Sequence, residues 1–286
     1  MQLSTTNSNI SQPPTYLCLQ AVKQQAPFTQ LYHRLDELLR GNIEQLCLGG
    51  ELLESIKQQL TQPLPLQFVE QHVYDDDTRF YEQIIFEDKQ VPTRANWHDF
   101  FNGLVWLQFP LTKRYFNQVH YEEISEHGVK KRTAVRDRIT HFDECGLVLF
   151  THCEQLEHDI AEHNWQAVFV NNSAQWHRSI VPVIIGHALW EMLLNPHIGL
   201  TAKVKVCVLP AQHPVFSQTN TVLQSEINAL LDQYLQQCLK RDQDFFRKKP
   251  WLPLPLLGIP QWSPFHQNAE FYANKNYFME KRKTLD

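Results

Sequence analysis

The sequence predicts an α+β fold: a single globular domain, rich in helix, with a small mixed or antiparallel sheet. Three observations carry this. Stretches with apolar residues at helical spacing are interspersed with short β-branched and aromatic runs, without a regular β-α-β order. Only 9 of 286 residues are glycine, too few for an architecture of many tight hairpins. No internal repeat or linker divides the chain, and 43% hydrophobic with 12% aromatic residues supplies material for one large core.

In chain order, residues 1–15 (MQLSTTNSNISQPPT) are polar and end in prolines, and are read as a disordered tail before a domain spanning 16–286. Phe28, Leu31, Leu35, Leu38 and Leu39 recur at helical spacing, and Gly41 supplies a stop. A second helix is expected from Ile43 to Leu60, ended by Pro63 and Pro65. LQFVEQHV (66–73) and RFYEQIIF (79–86) have strand composition, with the acidic run 75–77 as the loop between them. Thr93–Pro110 reads as an apolar helix, and Leu111–Glu126 as another. RITHFDECGLVLF (138–150) alternates about Asp143–Gly146 and reads as a hairpin. Cys153–His163 is an amphipathic helix, and WQAVFV (165–170) fits strand or helix. Ser179–Ile185 is a buried strand feeding a helix at Gly186; Thr201–Leu209 is a strand with clean alternation; Thr219–Lys240 is a long helix. In 250–265 prolines recur too often for a helix or a central strand. That segment is expected to lie extended on the body, because Trp251, Leu254, Leu257 and Trp262 need cover.

Composition excludes several functions. A net charge of −5 argues against a wholesale grip on nucleic acid, and the basic runs at 130–132 and 247–249 read as solvated faces. The glycines fit neither G-x-x-x-x-G-K nor G-x-G-x-x-G, so the usual nucleotide loops are absent. The six cysteines form no C-x-x-C, and the start has no signal-peptide pattern, so reduced cysteines in a cytoplasmic protein are expected. The greasiest run, 180–194, holds His187 and Glu191 and falls short of the roughly 20 residues a membrane span needs.

Three polar constellations interrupt this pattern. In TRANWHDFFN, Asn96 is a good N-cap with Asp99 three residues on as its capping-box partner, while His98 and Asn102 share a helix face. Arg94 stands just before the helix, where free amides already favour an anion. Trp97 is grouped with these as a ligand-lining residue. In VRDRITHFDECG, Arg136 is a candidate anion contact and Asp137 a candidate ligand contact; for Asp143 and Glu144 ordinary turn chemistry is the simpler account. In GHALWE, His187 and Glu191 lie four apart on one face at a strand-to-helix junction, a pattern that suits a metal or an oriented general base. A fourth run, His158 to Glu162, has the same spacing but faces away from its helix's apolar side and reads as wet surface.

The segments VPTRANWHDFFNGLVWLQFP with the TK that follows, RDRITHFDECG, GHALWE followed by LTA, and PLPLLGIPQW resemble, in this order, the bacterial domain-of-unknown-function family DUF3025. The resemblance covers most of the chain. It implies a bacterial, cytoplasmic protein of one domain and carries no catalytic residues over.

The functional expectation therefore rests on the residues themselves. It is a metal-assisted hydrolase of an anionic small molecule such as a phosphoester. His98, Asp99, His187 and Glu191 act as catalytic groups, with a divalent metal on His98, His187 and Glu191. Arg94, Trp97, Asn102, Arg136 and Asp137 contact the ligand. The alternatives are a non-catalytic ligand-binding or protein-interaction pocket and a buried structural network.

Overall fold

A computed structural model describes residues 26–28, 49–58, 60, 63–217, 224–242, 245 and 251–282. The expected tail at 1–15, most of the helix expected after Phe28, Cys18, Cys47 and the basic run 247–249 lie outside the described residues.

The fold is helix-rich α+β with two small sheets. It opens with helix α1 (Gly50–Gln58) and strand β1 (Gln67–Glu70), followed by α2 (Tyr81–Asp88) and β2 (Gln90–Thr93). Strands β1 and β2 pair in parallel as a two-stranded sheet. Three helices come next: α3 (Trp97–Gln108), α4 (Pro110–His127) and α5 (Ala134–Cys145). Strand β3 (Gly146–Thr151), α6 (Gln155–Ala161), β4 (Ile180–Ile184), α7 (His187–Leu193), β5 (Thr201–Val208), α8 (Gln224–Arg241), β6 (Leu252–Pro255) and the short α9 (Ala269–Tyr272) complete it.

The main sheet has the order β4-β3-β5-β6. Its β3–β5 pair is parallel, and both outer pairs are antiparallel. Every residue of β3 is buried, as expected for a central strand covered on both faces, so its sequence GLVLFT shows no polar alternation. In β5 the alternation of TAKVKVCV is kept, with Ala202, Val204 and Val206 turned inward. One continuous apolar core runs from Phe28 to Phe278.

Two expected strands are corrected. Residues 79–86 contribute to helix α2, because the apolar pair Ile84–Ile85 packs one face only and the Gln83 side chain reaches back to accept from the Phe80 amide at 3.1 Å. The expected hairpin at 138–150 is helix α5 running straight into β3. Ile139 and Phe142 are spaced for a helix face, and Thr133 caps the start by accepting from the Arg136 amide. The ambiguous 166–171 segment is a short π-helix.

The proline-rich segment packs on the body as expected. It forms the edge strand β6, where Pro253 and Pro255 cost no ladder bond, and Leu254, Leu257 and Trp262 are buried. Trp251 is partly buried and stacks on Phe142 at 4.9 Å. The four described cysteines, Cys145, Cys153, Cys207 and Cys238, carry free thiols. Among the described residues no helix is long and apolar enough to cross a membrane.

Two backbone features place the helices that matter. Helix α4 starts with Pro110, and its orphan amides are capped from α8: Asp232 accepts from the amides of Leu111 at 2.8 Å and Thr112 at 2.9 Å. Burial pushes the Asp232 carboxyl up to about 6. The second feature is a close approach of two junctions. The α5–β3 turn at Gly146 touches the β4–α7 turn at Gly186, and the Gly146 carbonyl accepts from the amides of Ile185 at 3.0 Å and Gly186 at 2.8 Å. A Cβ on Gly186 would stand 2.5 Å from the Glu144 carbonyl oxygen, so only glycine fits. Gly186→Ala is expected to lower stability by about 1–3 kcal/mol through overpacking, measured by urea unfolding; a cost near zero would contradict the close approach.

Candidate functional site

The close approach fixes what meets what. It brings the last turn of α5, with Asp143 and Glu144, beside the first turn of α7, with His187. Helix α3 packs across α7 and adds His98, Asp99 and Asn102. Helix α4 runs behind and contributes Lys113 and His120; the start of α2 contributes Tyr81 and Glu82. These side chains surround a cleft of about 220 Å³, lined among others by Arg94, His98, Asp99, Asn102, His120 and His187.

The two histidines expected to share a site do so. His98 Nε2 and His187 Nε2 are 3.0 Å apart, with their rings edge to face. Glu191 Oε2 lies 3.1 Å from His98 Nδ1, the opposite nitrogen. A carboxylate can only accept, so His98 carries a proton on Nδ1, and the neutral ring presents a lone pair at Nε2. His187 therefore donates from Nε2, and its own Nδ1 is left with a lone pair. That nitrogen is buried, meets no hydrogen-bond partner, and stands 3.7 Å from Asp143 Oδ2. The result is a chain of Glu191, His98 and His187 that ends in an unused acceptor. His98 and Glu191 are partly open to solvent, while His187 is 6% exposed. Burial pushes the His187 pKa down to about 3, against the pull of Asp143, so the ring is neutral at physiological pH.

Behind His187 lies a second network that the sequence reading missed. Lys113, 4% exposed, spends its three donors on Asp143 Oδ1 at 2.5 Å, Asp143 Oδ2 at 2.6 Å and Asn102 Oδ1 at 2.8 Å. Asn102 in turn donates to the Tyr81 hydroxyl at 3.0 Å. Burial alone would raise the Asp143 carboxyl; the ammonium on both its oxygens offsets that and leaves it below the usual carboxylate range. The signal was readable in α4. Lys113, Phe116, Asn117, His120 and Ile124 form one buried helical stripe, so three polar residues occupy core positions. Asn117 donates to the Glu82 carboxylate at 2.9 Å. His120 is 6% exposed, and its buried Nδ1 has no partner; burial lowers its pKa.

Other expected site residues stand differently. Asn96 caps α3, accepting from the Asp99 amide at 2.8 Å. The Asp99 carboxylate does not complete a capping box on Asn96. It takes the Arg94 amide at 2.8 Å and the Arg94 guanidinium at 2.9 Å. Arg94 reaches the cleft rim with its charge already matched. Trp97 is not a ligand-lining residue: it is buried and stacks on Phe101 at 5.5 Å, as core. Arg136 is buried away from the cleft, where it donates to the carbonyls of Val129 at 3.1 Å and Lys131 at 3.2 Å. Asp137 pairs with Arg132 at the surface. The anion clamp of Arg94 and Arg136 is therefore not assembled, because Arg94 is engaged by Asp99 and Arg136 is not among the residues that line the cleft. Glu191 sits behind His98 and not beside the two Nε2 atoms, so it orients an imidazole and cannot share a metal with both. Among the described residues no group of three His, Cys, Asp or Glu side chains is arranged to hold a metal ion. His158 and Glu162 are exposed, as expected for a wet face.

Residues 66–282, most of the chain and all of this cleft, match a family described as a protein of unknown function, DUF3025. The chain belongs to DUF3025. No curated protein and no solved structure matches it. For this DUF3025 protein the cleft chemistry is thus argued from its own side chains.

The two ion pairs of the cleft should differ sharply in weight. Lys113→Met leaves the mostly enclosed Asp143 carboxylate, 20% exposed, without its cation and is expected to cost about 3–5 kcal/mol. Arg94→Ala removes an exposed partner, keeps the amide that Asp99 uses, and is expected to cost under about 1 kcal/mol. Chemical denaturation of both variants checks this; equal costs would contradict the assignment of Lys113 as the buried tie.

Proposed function

We propose that the cleft is the active site of a hydrolase acting on a small molecule, with Glu191, His98 and His187 as its proton relay. The observation that carries this is the unpartnered Nδ1 of His187 at the end of a carboxylate–imidazole–imidazole chain. A buried nitrogen without a partner costs free energy unless a water or ligand satisfies it.

In this reading a water bound in the cleft is the nucleophile. His187 Nδ1 takes its proton, and the Nε2 proton of His187 passes to His98 Nε2. His98 then carries the positive charge against Glu191 and beside solvent, which suits it to return the proton to the leaving group. Asp143, held by Lys113, faces the transient charge on His187 and stabilises it. Asn102 and Tyr81 keep Lys113 in place. A divalent metal that assisted the reaction would have to complete its shell with water or substrate, since only a few donors of the cleft are free at once.

A panel of phosphoester, carboxyl-ester and amide substrates tests the reading. The expected outcome is turnover of one class by the wild type, falling about 10²–10⁴-fold in His187→Ala and less in Glu191→Gln. Absence of turnover across the panel, or turnover unchanged in His187→Ala, contradicts catalysis here. Ligand binding without chemistry is then the better account.

A further inference from the structure

The relay leaves part of the cleft unused: the wall formed by Glu82, Asp143, Glu144 and His120. Its charge balance is one-sided. The lining includes four carboxylates, Glu82, Asp99, Asp143 and Glu144, against one cation, Arg94. Arg94 is matched by Asp99, and the Lys113 behind the wall is matched by Asp143. Glu82 and Glu144 then face the cleft with no basic partner among the described residues, Glu82 holding only the neutral Asn117 amide. Glu144 makes no side-chain hydrogen bond or ion pair there.

A cluster of acids is not a site by itself. The second observation is His120. It lines the same cleft, is 6% exposed, and its enclosed Nδ1 has no hydrogen-bond partner. Its ring interacts electrostatically with Glu82 and Asp143, which places it on this wall. The wall offers acceptors and negative charge without matching donors, the reverse of an anion pocket.

We propose that this wall is a cation-binding subsite, which holds the positively charged group of the ligand against Glu82, Glu144 and His120. The chemistry that fits is an organic cation that supplies hydrogen-bond donors: an ammonium or guanidinium group of the substrate. The subsite deepens the active-site reading above by naming the ligand class, and it replaces the anionic ligand expected from Arg94 and Arg136. It stands apart from the relay, whose accepting atom is His187 Nδ1.

Thermal melts at fixed ionic strength test it, with putrescine, methylguanidinium, zinc chloride, magnesium chloride and potassium phosphate as separate probes. Selective binding to the native state raises the midpoint. The expected result is that at least one organic cation raises it and phosphate does not. Calorimetry with that cation should show binding weakened about tenfold or more in Glu144→Gln, a substitution that removes no structural contact. His120→Gln should weaken it as well. The shift is expected from the organic cations, and a shift by the metal ions alone overturns the proposal. The proposal is overturned if phosphate stabilises and no cation does, if no probe shifts the midpoint, or if the cation binds both variants as tightly as the wild type. Cation binding without turnover would instead sink the catalytic reading and leave the subsite standing.

Discussion

The cleft depends on one backbone contact, the approach of Gly146 to Gly186. Helix α5 enters strand β3 there, and strand β4 leaves for helix α7, with the Gly146 carbonyl taking two amides from the other junction. Strands β3 and β4 are paired along their length from Leu147–Ile184 to Thr151–Ile180, so their ends must coincide. Any side chain at Gly186 would push them apart. Because they do not move apart, the end of α5 and the start of α7 share one corner, and Asp143 meets His187. The cleft geometry is thus a consequence of sheet register, with no loop needed to bring the groups together.

That corner is expensive to maintain. It sets a buried lysine, a mostly enclosed carboxylate and two buried imidazoles into an otherwise apolar core. A buried ion pair stabilises little against a well-packed apolar substitute, while breaking one is costly. The pair of Lys113 and Asp143 is therefore better understood as a fixture that positions charge beside His187. The contrast between satisfied and unsatisfied atoms makes the same point. Lys113, Asn102 and Asp99 have their polar atoms matched, while the Nδ1 atoms of His187 and His120, both cleft-lining residues, are buried without a partner, as are Arg136 Nε and Trp251 Nε1 outside the cleft. Two of these unpaired nitrogens thus belong to one cleft, which is where the binding reading rests.

Much of this was legible in the sequence. Polar residues in the apolar run TRANWHDFFN, and His187 four residues before Glu191, marked two of the five helices that build the cleft. The Asn96 cap and the packed proline-rich edge followed from local chemistry alone. What failed did so for definite reasons. Asp143 and Glu144 looked like turn residues because Cys145–Gly146 follows them, and helix and hairpin readings both fit a segment whose apolar residues Ile139 and Phe142 are three apart. Lys113 was passed over because a lysine in an amphipathic helix is usually on the wet face; reading the stripe through Phe116, His120 and Ile124 would have placed it inside. Arg94 and Arg136 looked like anion contacts because sequence shows charge and hides the partners that neutralise it, here Asp99 and the carbonyls of Val129 and Lys131.

The central claim is the relay, and ¹⁵N NMR of the imidazoles reads it directly as pH is lowered. Folding depresses the His187 pKa to about 3, so the neutral form is the folded form; between the ordinary histidine value and that point the unfolded chain binds the extra proton, and stability falls as pH falls. The account predicts that His187 stays an uncharged ring down to about pH 4, and that in the neutral protein its proton is on Nε2 and that of His98 on Nδ1, toward Glu191. A His187 that titrates in the ordinary histidine range, or that carries its proton on Nδ1 in the neutral protein, would contradict it.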